Sequence, residues 1–185
     1  MNFRWLMMLG MLAGLLGGCS GGKAETMNSP QNADDYPHVG MTLAEFRAIF
    51  PAVKPDSYGQ WPRNAELHGL AGGWTYTFQD GRLQWFLFDV YERTVDAAYF
   101  DRCLQATRRL MEDYRARYGE PADVEEGTTR FRDPGQDHHW GYPVLKASWI
   151  TAAEKIRVSF QFKGSHGDYY FLVKVEHHDR NDPLA

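Results

Sequence analysis

The sequence predicts an α+β fold, an antiparallel sheet packed against two main helices. Three observations carry this. The apolar residues between Asp96 and Tyr118 recur at helical spacing over six turns, whereas those from Trp74 to Tyr91 and from Val144 to His177 alternate or run as in strands. Strand-like runs follow helix-like ones instead of alternating with them singly, which favours segregated α+β layers over a parallel sheet. Of the 185 residues, 43% are hydrophobic and 15% aromatic, enough for a folded core rich in sheet.

The elements are justified in order. Thr42 with Glu45 three residues on forms a capping box, and Leu43, Phe46, Ile49 and Phe50 supply an apolar stripe that Pro51 ends. From Ala52 to Gly73 the chain is rich in Pro, Gly and Asn and reads as a loop containing Trp61, His68 and one irregular element. Trp74 to Phe78 alternates aromatic with threonine, Gln79-Asp80-Gly81 supplies a turn, and Leu83 to Tyr91 returns, a hairpin. The returning strand is apolar on both sides, with Leu83, Trp85 and Leu87 on one and Phe86, Phe88 and Val90 on the other. One side should meet a helix, and the other needs cover.

The long helix carries Phe100, Cys103, Leu104, Thr107, Leu110, Met111, Tyr114 and Tyr118 on one stripe and stops at Gly119-Glu120-Pro121. A short strand is expected near Thr128 to Arg132. Three more strands follow at 144–151, 155–163 and 168–177. In the second, Ile156, Val158, Phe160 and Phe162 alternate with Arg157, Ser159 and Gln161, so one side is buried and one wet. Pro51 and Pro121, Trp74 and Trp149, and the turns at Asp80 and Glu154 fall at similar offsets, which fits either a diverged tandem helix-plus-hairpin repeat or coincidence.

Before this domain lie two other segments. Met1 to Arg4 is a short basic start, and Trp5 to Leu16 is an apolar run too short to span a bilayer, so residues 1–18 read as a cleaved export signal. Residues 19–35 read as a flexible tether and 36–185 as a single domain. Arg4 is the only charged residue in the signal. The acidic balance, −4 over the whole chain, leaves no basic stripe for nucleic acid.

The run Leu16-Gly17-Gly18-Cys19 resembles the lipobox of bacterial lipoproteins, which implies lipidation of Cys19 and attachment to a membrane through acyl chains. Ser20 after it implies, by the same resemblance, the outer membrane facing the periplasm. Cys103 is then a lone thiol on a helix stripe, expected as a buried small hydrophobe. The stretch Val39-Gly40-Met41-Thr42, helix, Pro51, then Trp74-Thr75-Tyr76 and Leu83 to Phe88 resembles the SmpA/OmlA type of outer-membrane assembly lipoprotein. That family shares its α+β fold with the beta-lactamase-inhibitor proteins, whose tandem helix-plus-sheet units would match the repeat. The gap from Pro51 to Trp74 is longer here than in the family.

The candidates for chemistry are His138-His139 beside Asp133 and Asp137, His166 with Asp168, and His177-His178 with Asp179. Adjacent histidines on a strand face opposite ways, so each pair gives at most one ligand to a site, and no spacing matches a closed metal motif. There is no nucleophile elbow and no phosphate loop. The expectation is therefore no enzyme, no metal and no cofactor. The aromatic surplus points to a binding module, since rigid aromatics dominate protein interfaces. The strand tryptophans are assigned to the core, and Trp61, His138, His139, Trp140 and Tyr142, placed in loops, to partner contacts. Three functions are expected in turn. The first is an envelope protein that grips another protein, as an assembly accessory or as an inhibitor or immunity lipoprotein. The second is a lipoprotein binding a small apolar or cell-wall ligand, and the third a metal-dependent hydrolase using the histidines.

Overall fold

The computed structural model describes residues 25–26, 37–131, 142–165 and 168–182. A two-residue strand β1 (Glu25–Thr26) precedes helix α1 (Leu43–Ile49). The capping box is formed, with Thr42 Oγ1 accepting from Glu45 N–H and the Glu45 carboxylate accepting from Thr42 N–H at 2.7 Å. The hydrogen bonds from Thr42 hold the Glu45 carboxyl below its ordinary pKa. The Gly40-Met41-Thr42 run before it lies along the sheet, with Gly40 N–H donating to Leu83 O and Leu83 N–H to Met41 O. Gly40 has φ +89, a left-handed conformation that glycine adopts without strain.

A meander follows, of strands β2 (Trp61–Leu67), β3 (Leu70–Gln79) and β4 (Arg82–Glu92). Asp80 and Gly81, both at positive φ, make the tight turn that the sequence predicts between the last two. Helix α2 (Ala97–Tyr118) starts on the Asp96 side chain, which accepts from Tyr99 N–H, and buries Phe100, Cys103, Leu104, Ala106, Thr107, Leu110 and Met111. Strands β5 (Asp123–Glu126), β6 (Tyr142–Ile150), β7 (Glu154–Ser165) and β8 (Asp168–Asp179) complete the chain. The sheet order is β1-β2-β3-β4-β8-β7-β6-β5. All neighbours are antiparallel except β1, which pairs parallel to β2 through its two residues.

Residues paired across an antiparallel sheet share a face. One continuous row is Trp61, Tyr76, Phe86, His177, Ile156 and Trp149, and the next holds Trp74, Phe88, Val175, Val158 and Ala147. All of them are buried. Both helices lie on this side: Phe46 of α1 meets the rings of Trp61, Tyr76 and Phe78, while Phe100 and Tyr114 of α2 meet Phe160, Phe171, Trp149 and His177.

Four sequence expectations are corrected. The segment expected as loop before Gly73 contains strand β2, and Pro62 is tolerated there because the strand lies near the sheet edge. The short strand expected near Thr128 lies earlier, at Asp123–Glu126, where four exposed residues form the far edge. A bulge between Thr77 and Phe78 turns Leu83 to the side of Phe86, away from Trp85 and Leu87. Trp85, assigned to the core with the other strand tryptophans, faces away from both helices and is only half-buried.

Candidate functional site

The side of the sheet turned away from the helices carries Trp85, Leu87, Asp89 and Tyr91 on β4. Beside them on β8 stand His178, Glu176, Lys174, Leu172 and Tyr170, and beside those on β7 Lys155, Arg157 and Gln161. Each of these is half-buried or exposed, and no helix among the described residues lies over them. The expectation that this side needs cover is unmet there. The charges form a central band that pairs internally: Lys174 Nζ is 2.7 Å and Arg157 3.7 Å from Glu176, and Lys146 is 2.6 Å from Glu125. Apolar groups flank the band. At one end Trp85 stacks on His178, 6.2 Å between centroids, next to Leu87; at the other, Tyr91 meets Tyr170 at 4.4 Å beside Leu172. Burial pushes the Asp89 carboxyl above its ordinary pKa, and the neighbouring Lys174 opposes the shift.

On the helix side, a second constellation joins parts remote in sequence. His177 Nδ1 lies 2.7 Å from Glu154 Oε2, its Nε2 lies 2.8 Å from the Tyr114 hydroxyl, and Val39 N–H donates to Glu154 Oε1 at 3.1 Å. Burial pushes His177 below its ordinary pKa, against the hydrogen bond to Glu154 that pulls it up. Burial pushes the Glu154 carboxyl the other way, yet the hydrogen bonds from His177 and Val39 hold it below the usual range. The pair is thus a carboxylate and a neutral imidazole. Nδ1–H then donates to Glu154, and Nε2 accepts from Tyr114 O–H. Every partner is satisfied, so the chain of bonds fixes helix α2, strand β8, the start of strand β7 and the segment before α1 to one another.

Beside His177 a narrow cleft of about 10 Å³, room for about one water, lies between the end of α2 and the β2–β4 meander. Arg63, Trp74 and Tyr76 stand on one wall and Tyr114, Arg117 and Tyr118 on the other.

The residues expected as partner contacts divide. Trp61, placed in a loop by its Pro-rich surroundings, opens β2 and is 6% exposed, packed edge-on against Phe46, so it belongs to the core and is withdrawn as a contact. Tyr142 opens β6, half-buried against Phe162 at 5.3 Å. His138, His139, Trp140 and Cys19 lie outside the described residues, as does His166. Adjacent histidines do face opposite ways, with His177 buried and His178 on the open side. Cys103 is buried, as expected of a small hydrophobe. Among the described residues no three His, Cys, Asp or Glu are grouped to hold a metal, and no helix is long and apolar enough to cross a membrane. No family model, curated protein or solved structure matches the chain.

Two features escaped the sequence reading. The signal for the open side was present, since β4 is apolar on both sides, but a single strand does not say which side a helix takes. Glu154 gave no signal, because it reads as a turn residue and its partners lie 23 and 115 positions away.

Proposed function

We propose that the chain is a lipid-anchored, non-catalytic binding module of the cell envelope that grips another protein through the uncovered side of its sheet. One observation carries this reading: strands β4, β8 and β7 present Trp85, Leu87, Tyr91, Tyr170 and Leu172 around a band of internally paired charges, with both helices on the opposite side. Five central strands at ~4.8 Å spacing and about eight residues long offer ~600 Å² in outline, the scale of one partner's share of a stable interface. Rigid aromatic anchors supply much of the binding energy in such interfaces. The lipobox-like run ending at Cys19 supports the anchor, and the acidic balance speaks against nucleic acid. The partner is another envelope protein, for which this chain serves as an assembly accessory or as an inhibitor or immunity protein.

The tandem repeat belongs to the same proposal, in a frame one strand later than the tryptophan spacing suggests. The units are α1 with β2–β3–β4 and α2 with β6–β7–β8. A twofold axis normal to the sheet between β4 and β8 relates them, in keeping with the antiparallel β4/β8 pair and with both helices on one side. Matching Trp74 to Trp149 instead equates β4 with β7, both antiparallel to β8, and that superposition would carry one helix to the opposite side. A tandem helix-plus-sheet unit also fits the likeness to the beta-lactamase-inhibitor-protein fold.

The test places a photocrosslinking residue at position 87 on the open side or at the exposed position 108 on the back of α2, in cells expressing the full chain. A discrete crosslinked protein at 87 and none at 108 is expected. Equal or absent crosslinking at both positions refutes the reading. Mass spectrometry of the same preparation should find acylated Cys19 as the first residue, and an unmodified Cys19 refutes the anchor.

A further inference from the structure

We propose that the loop before β2, with Tyr58 exposed on it, rests against the headgroup region of the bilayer that holds Cys19, so that the domain stands on the membrane by this end. The inference rests on the acylation of Cys19 and adds an orientation to it. Its first support is β1, which falls inside the segment 19–35 read as a tether. Glu25 pairs with Ala65 and Thr26 with Glu66, in parallel, so β1 is entered from the side of Trp61, the start of β2. Cys19 precedes Glu25 by six positions, and six residues reach at most ~21 Å in any conformation. A tether free as far as Pro37 would reach ~60 Å and leave the orientation open.

The second support is the loop itself, which leads into Trp61 and so stands at the end of β2 from which β1 is entered. Among the described residues Tyr58 is the most exposed large hydrophobic, at 87%. The loop that carries it is fixed. Asp56 Oδ1 accepts from Tyr58 N–H at 2.8 Å and from Gln60 N–H at 2.9 Å, while Asp56 N–H donates to Gln60 O at 2.7 Å and Gly59 turns the chain at φ +75. A tyrosine ring held outward in this way fills no core. Its apolar body and polar tip suit the boundary between acyl chains and water, where tyrosine is enriched. Lys54 and Asp56 balance in charge, so the contact is interfacial and calls for no anionic lipid. From Ala65 back to Trp61 is ~13 Å along β2, and Tyr58 lies three residues further on, so the tyrosine and the anchored cysteine have similar reach toward the same side.

The test uses the full-length acylated chain reconstituted alone in phosphatidylcholine vesicles that carry some lipid with a nitroxide on its headgroup. A thiol-reactive fluorophore is attached at Ser57→Cys, beside the tyrosine, or at Arg108→Cys on the back of α2, while Cys103 is buried and stays unlabelled. Both chains should float with the vesicles, and quenching at 57 should exceed that at 108 by about twofold or more, as contact with the interface on one side only requires. Inserting about a dozen Gly and Ser residues after Ser20 adds reach without contacts and should bring quenching at 57 down to the level at 108. Tyr58→Ser should lower it as well, with the melting temperature unchanged because the residue is exposed. Flotation with equal quenching at the two positions, or quenching at 57 that either change leaves unaltered, overturns the orientation and leaves the anchor standing. A chain that does not float overturns the anchor, and this inference with it.

Discussion

His177 and His178 are neighbours in the chain and inhabit different environments. His177 points under helix α2, is 3% exposed, and stays neutral between Tyr114 and Glu154. His178 points the other way, lies against Trp85, and has its Nδ1 3.3 Å from Asp182. The same division runs through the whole of β4 and β8, where alternate residues are either locked into a core or left half-covered beside other half-covered groups. A strand that is apolar on both sides but covered on one has apolar surface in excess of what folding uses. The covered side is where stability is concentrated, and the open side is where recognition is proposed.

Variants can break or sharpen this contrast. The largest effect is expected from Phe88→Ala on the covered side, a loss of about 3–5 kcal/mol in urea unfolding, because the site cannot collapse around the missing ring. Leu87→Ala, its neighbour on the open side, should cost about 1 kcal/mol or less. Equal costs would mean that both sides are core.

Glu154→Ala should follow at about 3 kcal/mol, since it leaves Val39 N–H and His177 Nδ1–H without their acceptor inside the protein. Its counterpart Glu125→Ala, on the exposed pair with Lys146, should stay within about 0.5 kcal/mol. The same urea titrations measure both.

A smaller effect is expected in pH dependence. His177 has a lower pKa folded than unfolded, so as pH falls through about 6.5 the unfolded chain takes up a proton that the native chain resists. Its contribution is present above that pH and is lost as pH falls toward the folded value. Unfolding free energy should therefore drop as pH falls below about 6.5, and His177→Gln should flatten that slope. A variant with the same slope as the parent would show that His177 does not titrate in this way.

How much of this was legible in the sequence depended on how local the signal was. Helix α2 was legible because its period and its Gly119 stop lie within one stretch of chain, whereas the role of Asp96 as its N-cap came from the structure. The hairpin at Asp80-Gly81 was legible for the same reason. Strand β2 was hidden by Pro62 and Asn64, which suit a strand close to the edge, although Trp61, Ala65 and Leu67 keep a strand's alternation and His68-Gly69 marks a turn. The tryptophans of β2 and β4 exchanged roles on that account. Trp61 sat in polar surroundings and proved to be core, while Trp85 sat in an apolar run and proved to be surface. Pairing partners far away in the chain decide which side of a strand is covered, and the same holds for Glu154, His177 and Tyr114, which meet only in the folded sheet.

The most direct measurement is oxidative footprinting of Trp61 and Trp85, once in the purified full-length protein and once in intact cell envelopes. Trp61 should resist labelling in both, and Trp85 should label readily when purified and be protected in the envelope, where its partner is present. Trp85 labelling to the same extent in the two settings would contradict the claim that the uncovered side of the sheet is a binding surface.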